Sequence, residues 1–174
     1  PMSSPISQLA ESIRMAIDLE KSGRAFYLLA AEKTANPTGK TIFSRLAKEE
    51  TQHLLTFERM LDDEEGLSGW RSWLKEYPNH PPLPVFGEKA EKSIKEGSMD
   101  ELQALRVAMK QEREAMEYYG RIAESSDNEA VAGIFSFVRE QEVYHHDLLQ
   151  AEYDSITQYG FWFDNAEFRM DGKF

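Results

Sequence analysis

The sequence predicts an all-α fold, a four-helix bundle built from two repeated helical hairpins joined by a long crossover. Three observations predict it. Apolar residues recur at spacings of three and four along four separate stretches, the period of a helix face rather than of a strand. Sliding the sequence against itself reveals a gapless repeat at a constant offset of 92. Between residues 16 and 53 eleven of 38 positions are identical, among them Ala16/Ala108, Glu20/Glu112, Tyr27/Tyr119, Asn36/Asn128, Phe43/Phe135, Glu50/Glu142 and His53/His145; unrelated chains would match at roughly 6%. Between the copies lies a stretch of different composition, with Trp70, Trp73, Pro78 and the run Pro81-Pro82-Leu83-Pro84. Proline lacks the amide proton and clashes with the preceding helical turn, so this stretch reads as a crossover. Two copies are too few for a solenoid, and the hairpins are expected to close on each other with pseudo-two-fold symmetry.

Taken in order, the first helix carries Leu9, Ile13 and Ile17 on one face and continues through Tyr27 to about Thr34. Asn36 caps the second, with Pro37 in its first turn, and Ile42, Leu46, Leu54, Phe57 and Leu61 carry it to about Glu65, since proline suits the position whose amide needs no partner. A short helical piece is expected from Glu88 to Lys95, ended by Gly97-Ser98. Ser98 with Glu101 reads as a capping box opening the third helix, which carries Leu102, Leu105, Met109, Met116 and Tyr119 to about Glu124. Ser125 to Asn128 form a turn, and the fourth helix runs with Val131, Phe135, Val138, Leu149, Tyr153 and Ile156 inward to a stop near Gly160. The expected organisation is a single domain over residues 1–174, with hairpins at about 5–65 and 98–160, a crossover at about 66–97 and an aromatic tail at 161–174.

Composition narrows the possible chemistry. Twenty Lys and Arg against 31 Asp and Glu give 20 − 31 = −11, and a phosphate surface would need clustered positive charge. Nucleic acid and anionic membrane surfaces are therefore not expected partners. No apolar run approaches the roughly 20 residues of a membrane span, and the start Pro1-Met2-Ser3-Ser4 has no basic region followed by an apolar stretch. A cytoplasmic protein is expected. The chain has no cysteine, which excludes disulfides, thiolate metal sites and cysteine nucleophiles.

The apolar stripe of each helix is interrupted by polar residues at matching depth. Ile13, Ile17, Glu20 and Tyr27 share one face; so do Leu46, Glu50, His53 and Phe57; then Leu105, Met109, Glu112, Met116 and Tyr119; then Val138, Glu142, His145 and Leu149. Every step is three, four or seven residues. Four glutamates and two histidines thus point into the bundle, where uncompensated carboxylates would be very costly or would stay protonated. Cations are the natural remedy. Two divalent metals bring +4 against −4, and a rise to +6 is offset by an oxo-type bridge of −2, so such a site can change oxidation state near neutrality. In Glu50-x-x-His53 and Glu142-x-x-His145 the two side chains lie one turn apart on one face and can reach the same metal cluster. Oxygen and imidazole donors with open positions suit iron or manganese better than a closed structural zinc site. Tyr27 and Tyr119 lie seven residues beyond Glu20 and Glu112, placed to hydrogen-bond a ligand carboxylate.

Glu20, Glu50-Thr51-Gln52-His53, Glu112 and Glu142-Val143-Tyr144-His145, with the aromatic pairs Phe26-Tyr27 and Tyr118-Tyr119, resemble the di-iron ligand pattern of the rubrerythrins, within the ferritin-like superfamily. The resemblance covers about residues 5–158 and implies a ferritin-like four-helix bundle holding two iron ions, with manganese or zinc as substitutes. It implies that Glu50 and Glu142 bridge the metals, that Glu20 and His53 complete one and that Glu112 and His145 complete the other. It also implies hydrogen peroxide or dioxygen as the oxidant, bound at the open positions and reduced with electrons from the irons. Two features depart from the peroxidase-type members. There is no four-cysteine rubredoxin-like domain, so an external electron-donor protein is needed. Ala115 stands where those enzymes carry a further glutamate, which makes the six-ligand set similar to the symmetric sites of bacterioferritins.

The remaining candidates have plainer readings. His146 is four residues from Glu142 and is the alternative ligand to His145, which the repeat favours. His80, among prolines, reads as a loop histidine. Arg24, one turn past Glu20, reads as a supporting partner of the site or as an ordinary helix ion pair. Gly23 and Ala115, equivalent in the repeat, read as points of close helix approach, and Met109 and Met116 as core filling. Trp70, Trp73, Tyr159, Phe161, Trp162, Phe163 and Phe168 are expected to cover the bundle or a partner subunit, and a homodimer follows if they would otherwise be exposed. The functional expectation is a di-iron oxidoreductase. The alternatives are a ferroxidase or iron-handling ferritin-like protein and a non-catalytic metal-binding module.

Overall fold

Four helices make up the regular structure of residues 5–62 and 100–162, the part of the chain that the computed structural model describes: α1 (Pro5–Lys33), α2 (Pro37–Asp62), α3 (Glu101–Ser125) and α4 (Glu129–Tyr159). Each boundary has a local cause. Asn36 Oδ1 accepts the amides of Thr38 and Gly39 at 2.9 and 3.2 Å, and Lys40 Nζ donates to the Ala31 carbonyl at 2.6 Å, closing the α1–α2 turn from the other side. Its repeat mate Asn128 accepts the amides of Ala130 and Val131 at 2.9 and 3.2 Å. Side-chain oxygens at these positions satisfy amides that the first helical turn cannot pair internally. α4 ends at Gly160, whose φ of 82° is the left-handed conformation that a side chain disfavours.

The start of α3 corrects the expectation drawn from Ser98 and Glu101. Asp100 is the cap: its Oδ1 accepts the Gln103 amide at 2.8 Å, and Gln103 Oε1 accepts the Asp100 amide at 3.2 Å. Aspartate caps as well as serine does, and glutamine closes the box as well as glutamate. Glu101 is thereby released for another contact, accepting the Trp162 indole N–H at 2.8 Å. The crossover with Trp70, Trp73 and His80, the short helix from Glu88, Ser98 itself, and the tail residues Phe163 and Phe168 lie outside the described residues.

α1 packs along α2 and α3 along α4, giving two hairpins. Two apolar clusters hold the hairpins together, and each draws on all four helices. One contains Phe26, Tyr27, Phe43, Leu46, Leu105, Leu148 and Leu149 with Trp162 laid over it; the other contains Ile13, Ile17, Phe57, Tyr119, Phe135 and Val138. The offset of 92 exchanges them, turning Tyr27/Phe43, ring centroids 6.2 Å apart, into Tyr119/Phe135, 5.8 Å apart. The pseudo-two-fold axis therefore passes between the clusters. Full burial of each large side chain contributes on the order of 1.5–3 kcal/mol, so most of the stability lies at two levels flanking a central layer. That layer is polar.

Candidate metal centre

The central layer is the one that the interrupted stripes foretell. Glu112 and His145 are 0% exposed, Glu20, Glu50 and Glu142 1%, and His53 4%. Residues of these types are almost never buried this deeply without partners. Here they partner one another. His53 Nδ1 lies 3.1 Å from Glu142 Oε1, 3.5 Å from Glu20 and 3.9 Å from Glu50. His145 Nδ1 lies 2.9 Å from Glu50 Oε1, 3.1 Å from Glu142 Oε2 and 3.4 Å from Glu112 Oε1. The two imidazoles face each other near parallel, at 22° with centroids 5.3 Å apart. One donor atom from each of Glu50, His53, Glu142 and His145 falls within 4.8 Å of the others. Glu20 and Glu112 flank this quartet, on the His53 and His145 sides respectively.

Proximity here is not the same as hydrogen bonding. Glu20 Oε2, Glu50 Oε1, Glu112 Oε2, Glu142 Oε2 and His145 Nδ1 have no hydrogen-bond partner among the described residues, although His145 Nδ1 and Glu50 Oε1 are 2.9 Å apart. These atoms are close but unpaired, and the points between them lie within reach of several at once. Leaving so many buried polar atoms unsatisfied would be costly, and a cation at those points satisfies them at once. Carboxylate oxygens with imidazole nitrogens are the donor set that iron and manganese accept.

Without a metal the layer balances its charge with protons. Burial pushes the Glu50 carboxyl well above its usual range, helped by Glu142, Glu20 and Glu112. Burial does the same to Glu142, with Glu112 and Glu20 adding to it. For Glu20 burial acts upward too, but His53 and the surrounding hydrogen bonds outweigh it and bring the group down to about 2. Glu112 is likewise lowered against burial, by hydrogen bonds from its neighbours and by His145. Burial disfavours the imidazolium form, yet Glu142 and Glu20 hold His53 up to about 10, and Glu112 holds His145 well above its ordinary value. Both imidazoles and the Glu50 and Glu142 carboxyls are thus pushed toward their protonated forms, and Glu20 and Glu112 toward their ionised forms, which brings the charge of the layer toward balance.

The sequence profile of the rubrerythrin family matches residues 11–153. The chain belongs to the rubrerythrin family. A solved structure of a hypothetical protein from Pyrococcus furiosus has the same fold, with a TM-score of 0.62 and 23% identity over 92% of this chain and 100% of that one. No curated protein matches the sequence.

Around the six buried residues of this layer the tyrosines are crossed. Tyr27 on α1 donates to Glu112 Oε1 on α3 at 2.5 Å, and Tyr119 on α3 donates to Glu20 Oε1 on α1 at 2.6 Å. Burial and the facing carboxylates raise both phenols well above their ordinary range, so both remain protonated donors. His146 stands outside the layer, with Arg113 Nη1 3.2 Å from its Nε2 and Asp147 3.7 Å from its Nδ1, so of the two adjacent histidines the structure brings His145 to the centre. Arg24 is exposed. Met109 is core filling in the first cluster. Trp162 packs on the bundle, while Tyr159 and Phe161 are 69% and 58% exposed.

Some neighbours carry little sequence signal. Glu49 Oε2 lies 2.8 Å from His145 Nε2, yet in Lys48-Glu49-Glu50 it looks like one more solvated charge. Gln111 is buried, and its Oε1 has no partner among the described residues. Gly23 does permit a close approach, but to a carboxylate rather than a helix backbone: a Cβ there would stand 2.9 Å from Glu50 Oε2 and 3.3 Å from Gln111 Nε2. Only the repeat, by setting Gly23 against Ala115 and Gln111 against Leu19, hints that the two sides of the layer differ.

Proposed function

We propose that this rubrerythrin-family protein is a non-haem di-iron oxidoreductase that reduces hydrogen peroxide or dioxygen with electrons from an external donor protein. The observation that carries the reading is the set of buried, unpaired donor atoms on Glu20, Glu50, Glu112, Glu142 and His145, whose charges two divalent cations would balance. Glu50 and Glu142, nearest both histidines, would bridge the metals; Glu20 with His53 and Glu112 with His145 would complete one each. Iron bound there supplies one electron per metal, and manganese or zinc are the substitutes expected to compete for the same donors.

The chain's own groups do the rest. Tyr27 and Tyr119 fix one oxygen of Glu112 and Glu20 and leave the other oxygen to bind. The apolar clusters on either side limit water in the layer, which strengthens every charge interaction inside it. Reduction of hydrogen peroxide to two waters consumes two electrons and two protons, and the donor must replace the electrons after each turnover. The reading extends to a homodimer in the cytoplasm, supported by the exposed Tyr159 and Phe161 and by the absence, among the described residues, of a helix long and apolar enough to cross a membrane.

One observation favours a second reading, ferroxidase or iron handling: the net charge of −11 attracts Fe²⁺. Anaerobic Fe²⁺ titration followed by stopped-flow mixing with peroxide or oxygen separates the two. Two irons per chain reacting faster with peroxide support the peroxidase reading, and faster reaction with oxygen supports an oxidase or ferroxidase. Failure to bind iron stoichiometrically would remove both.

A further inference from the structure

The repeat breaks at one position in direct contact with the centre. Glu49 on α2 corresponds to Gln141 on α4. Glu49 Oε2 lies 2.8 Å from His145 Nε2, and Glu49 is itself held by Arg45 Nε at 3.1 Å. The His145 ring is thus held at Nε2 by a carboxylate outside the layer, while Nδ1 faces Glu50, Glu142 and Glu112 inside it. His53 presents Nδ1 to the layer in the same manner. At the register where α4 could place a carboxylate behind His53, the side chain is a neutral amide.

We propose that Glu49 is a positioning residue that makes the two metal positions unequal, so that the one served by His145 and Glu112 binds more tightly and fills first. The inference rests on the metal-centre reading above. A carboxylate that accepts the Nε2 proton fixes the tautomer with Nδ1 free to ligate, fixes the ring plane, and makes the imidazole a stronger donor. Loss of such a partner typically costs 10–100-fold in metal affinity. Arg45 keeps Glu49 in place, its Nε 3.1 Å from Glu49 Oε1.

Co²⁺ titration of the full chain under anaerobic conditions, followed by calorimetry and by the visible absorption of the bound ion, tests this. Wild type is expected to take up two Co²⁺ per chain in two resolved steps. Glu49→Gln, which keeps the shape and removes the charge, is expected to weaken the tighter step about tenfold and leave the weaker within about threefold. Gln141→Glu is expected to do the reverse, tightening the weaker step, a gain that a merely structural role for Glu49 would not predict. Two equal steps in wild type, or a stepwise pattern unchanged in Glu49→Gln, overturns the inference and leaves the metal centre standing. No Co²⁺ uptake at all overturns both.

Discussion

A carboxylate with no exposure stays ionised only if its neighbours supply what water no longer does, and at Glu112 and Glu20 a phenol from the opposite hairpin is part of that supply. Tyr27→Phe or Tyr119→Phe is expected to destabilise the metal-free protein by about 1–3 kcal/mol, the usual cost of leaving a buried acceptor without its donor. Urea unfolding measures it, and the double mutant should depart from additivity because both tyrosines serve one network. Gly23→Ala places a methyl 2.9 Å from Glu50 Oε2, so Glu50 must swing away and metal affinity is expected to fall at least tenfold. Ala115→Gly, the mirror change, should cost only about 0.5–1 kcal/mol of helix stability and leave binding intact. Isothermal titration of both variants checks the contrast. At this scale the sequence is legible wherever a polar residue interrupts an apolar stripe, which is how Glu20, His53 and their mates stand out. Glu49 escapes that test because consecutive helical residues point about 100° apart, so it leaves the stripe that Glu50 occupies and meets His145 only through tertiary packing.

Elements begin where the best local cap lies, and several residues compete for the role. Asp100 and Ser98 are both strong candidates, so periodicity alone leaves the start of α3 two residues uncertain. Asp100→Ala is expected to cost about 1 kcal/mol and Ser98→Ala nearly nothing, and thermal melts of the two variants report which residue caps the helix. The α1–α2 turn was more legible, because Asn36 and Pro37 leave little choice. A less visible feature of that turn is Gly39, where a Cβ would fall 2.8 Å from both Thr34 and the Trp162 ring. The glycine clears the seat in which Trp162 packs edge-on against Phe43, 5.7 Å between centroids. Nothing in the composition of the tail distinguishes Trp162, which is buried, from Phe161, which is not; the distinction is made by a residue more than a hundred positions away.

For the whole molecule, charge balance governs behaviour. Protons offset the charge of the metal-free layer and cations that of the loaded one, so binding two divalent metals is expected to release protons, from the two imidazoles and from the Glu50 and Glu142 carboxyls. Titration in buffers of different ionisation enthalpy counts them. Stability follows with definite signs. The His53 contribution is complete below its ordinary 6.5 and is lost as pH rises through about 10, while that of Glu20 is present above 4.5 and is lost as pH falls through about 2. Glu50 and Glu142, raised by burial, act the other way, and cost stability increasingly as pH climbs above 4.5. The metal-free protein is therefore expected to melt highest near pH of about 4.5, and the added stabilisation by metal to grow toward pH of about 8.5. A metal-free melting temperature that rises over the same range would contradict this protonation pattern.

The crossed contacts, Tyr27 to Glu112 and Tyr119 to Glu20, have the reciprocity of a two-fold dimer, in which whatever one partner offers it also receives. Two identical half-length chains could form such contacts, but every substitution in them would appear twice. Glu49 behind His145 in one copy and Gln141 at the matching position of the other is a difference that identical subunits cannot encode in sequence. Joining both halves in a single polypeptide removes that restriction, and it allows one position of a symmetric pair to specialise while its twin stays as it was.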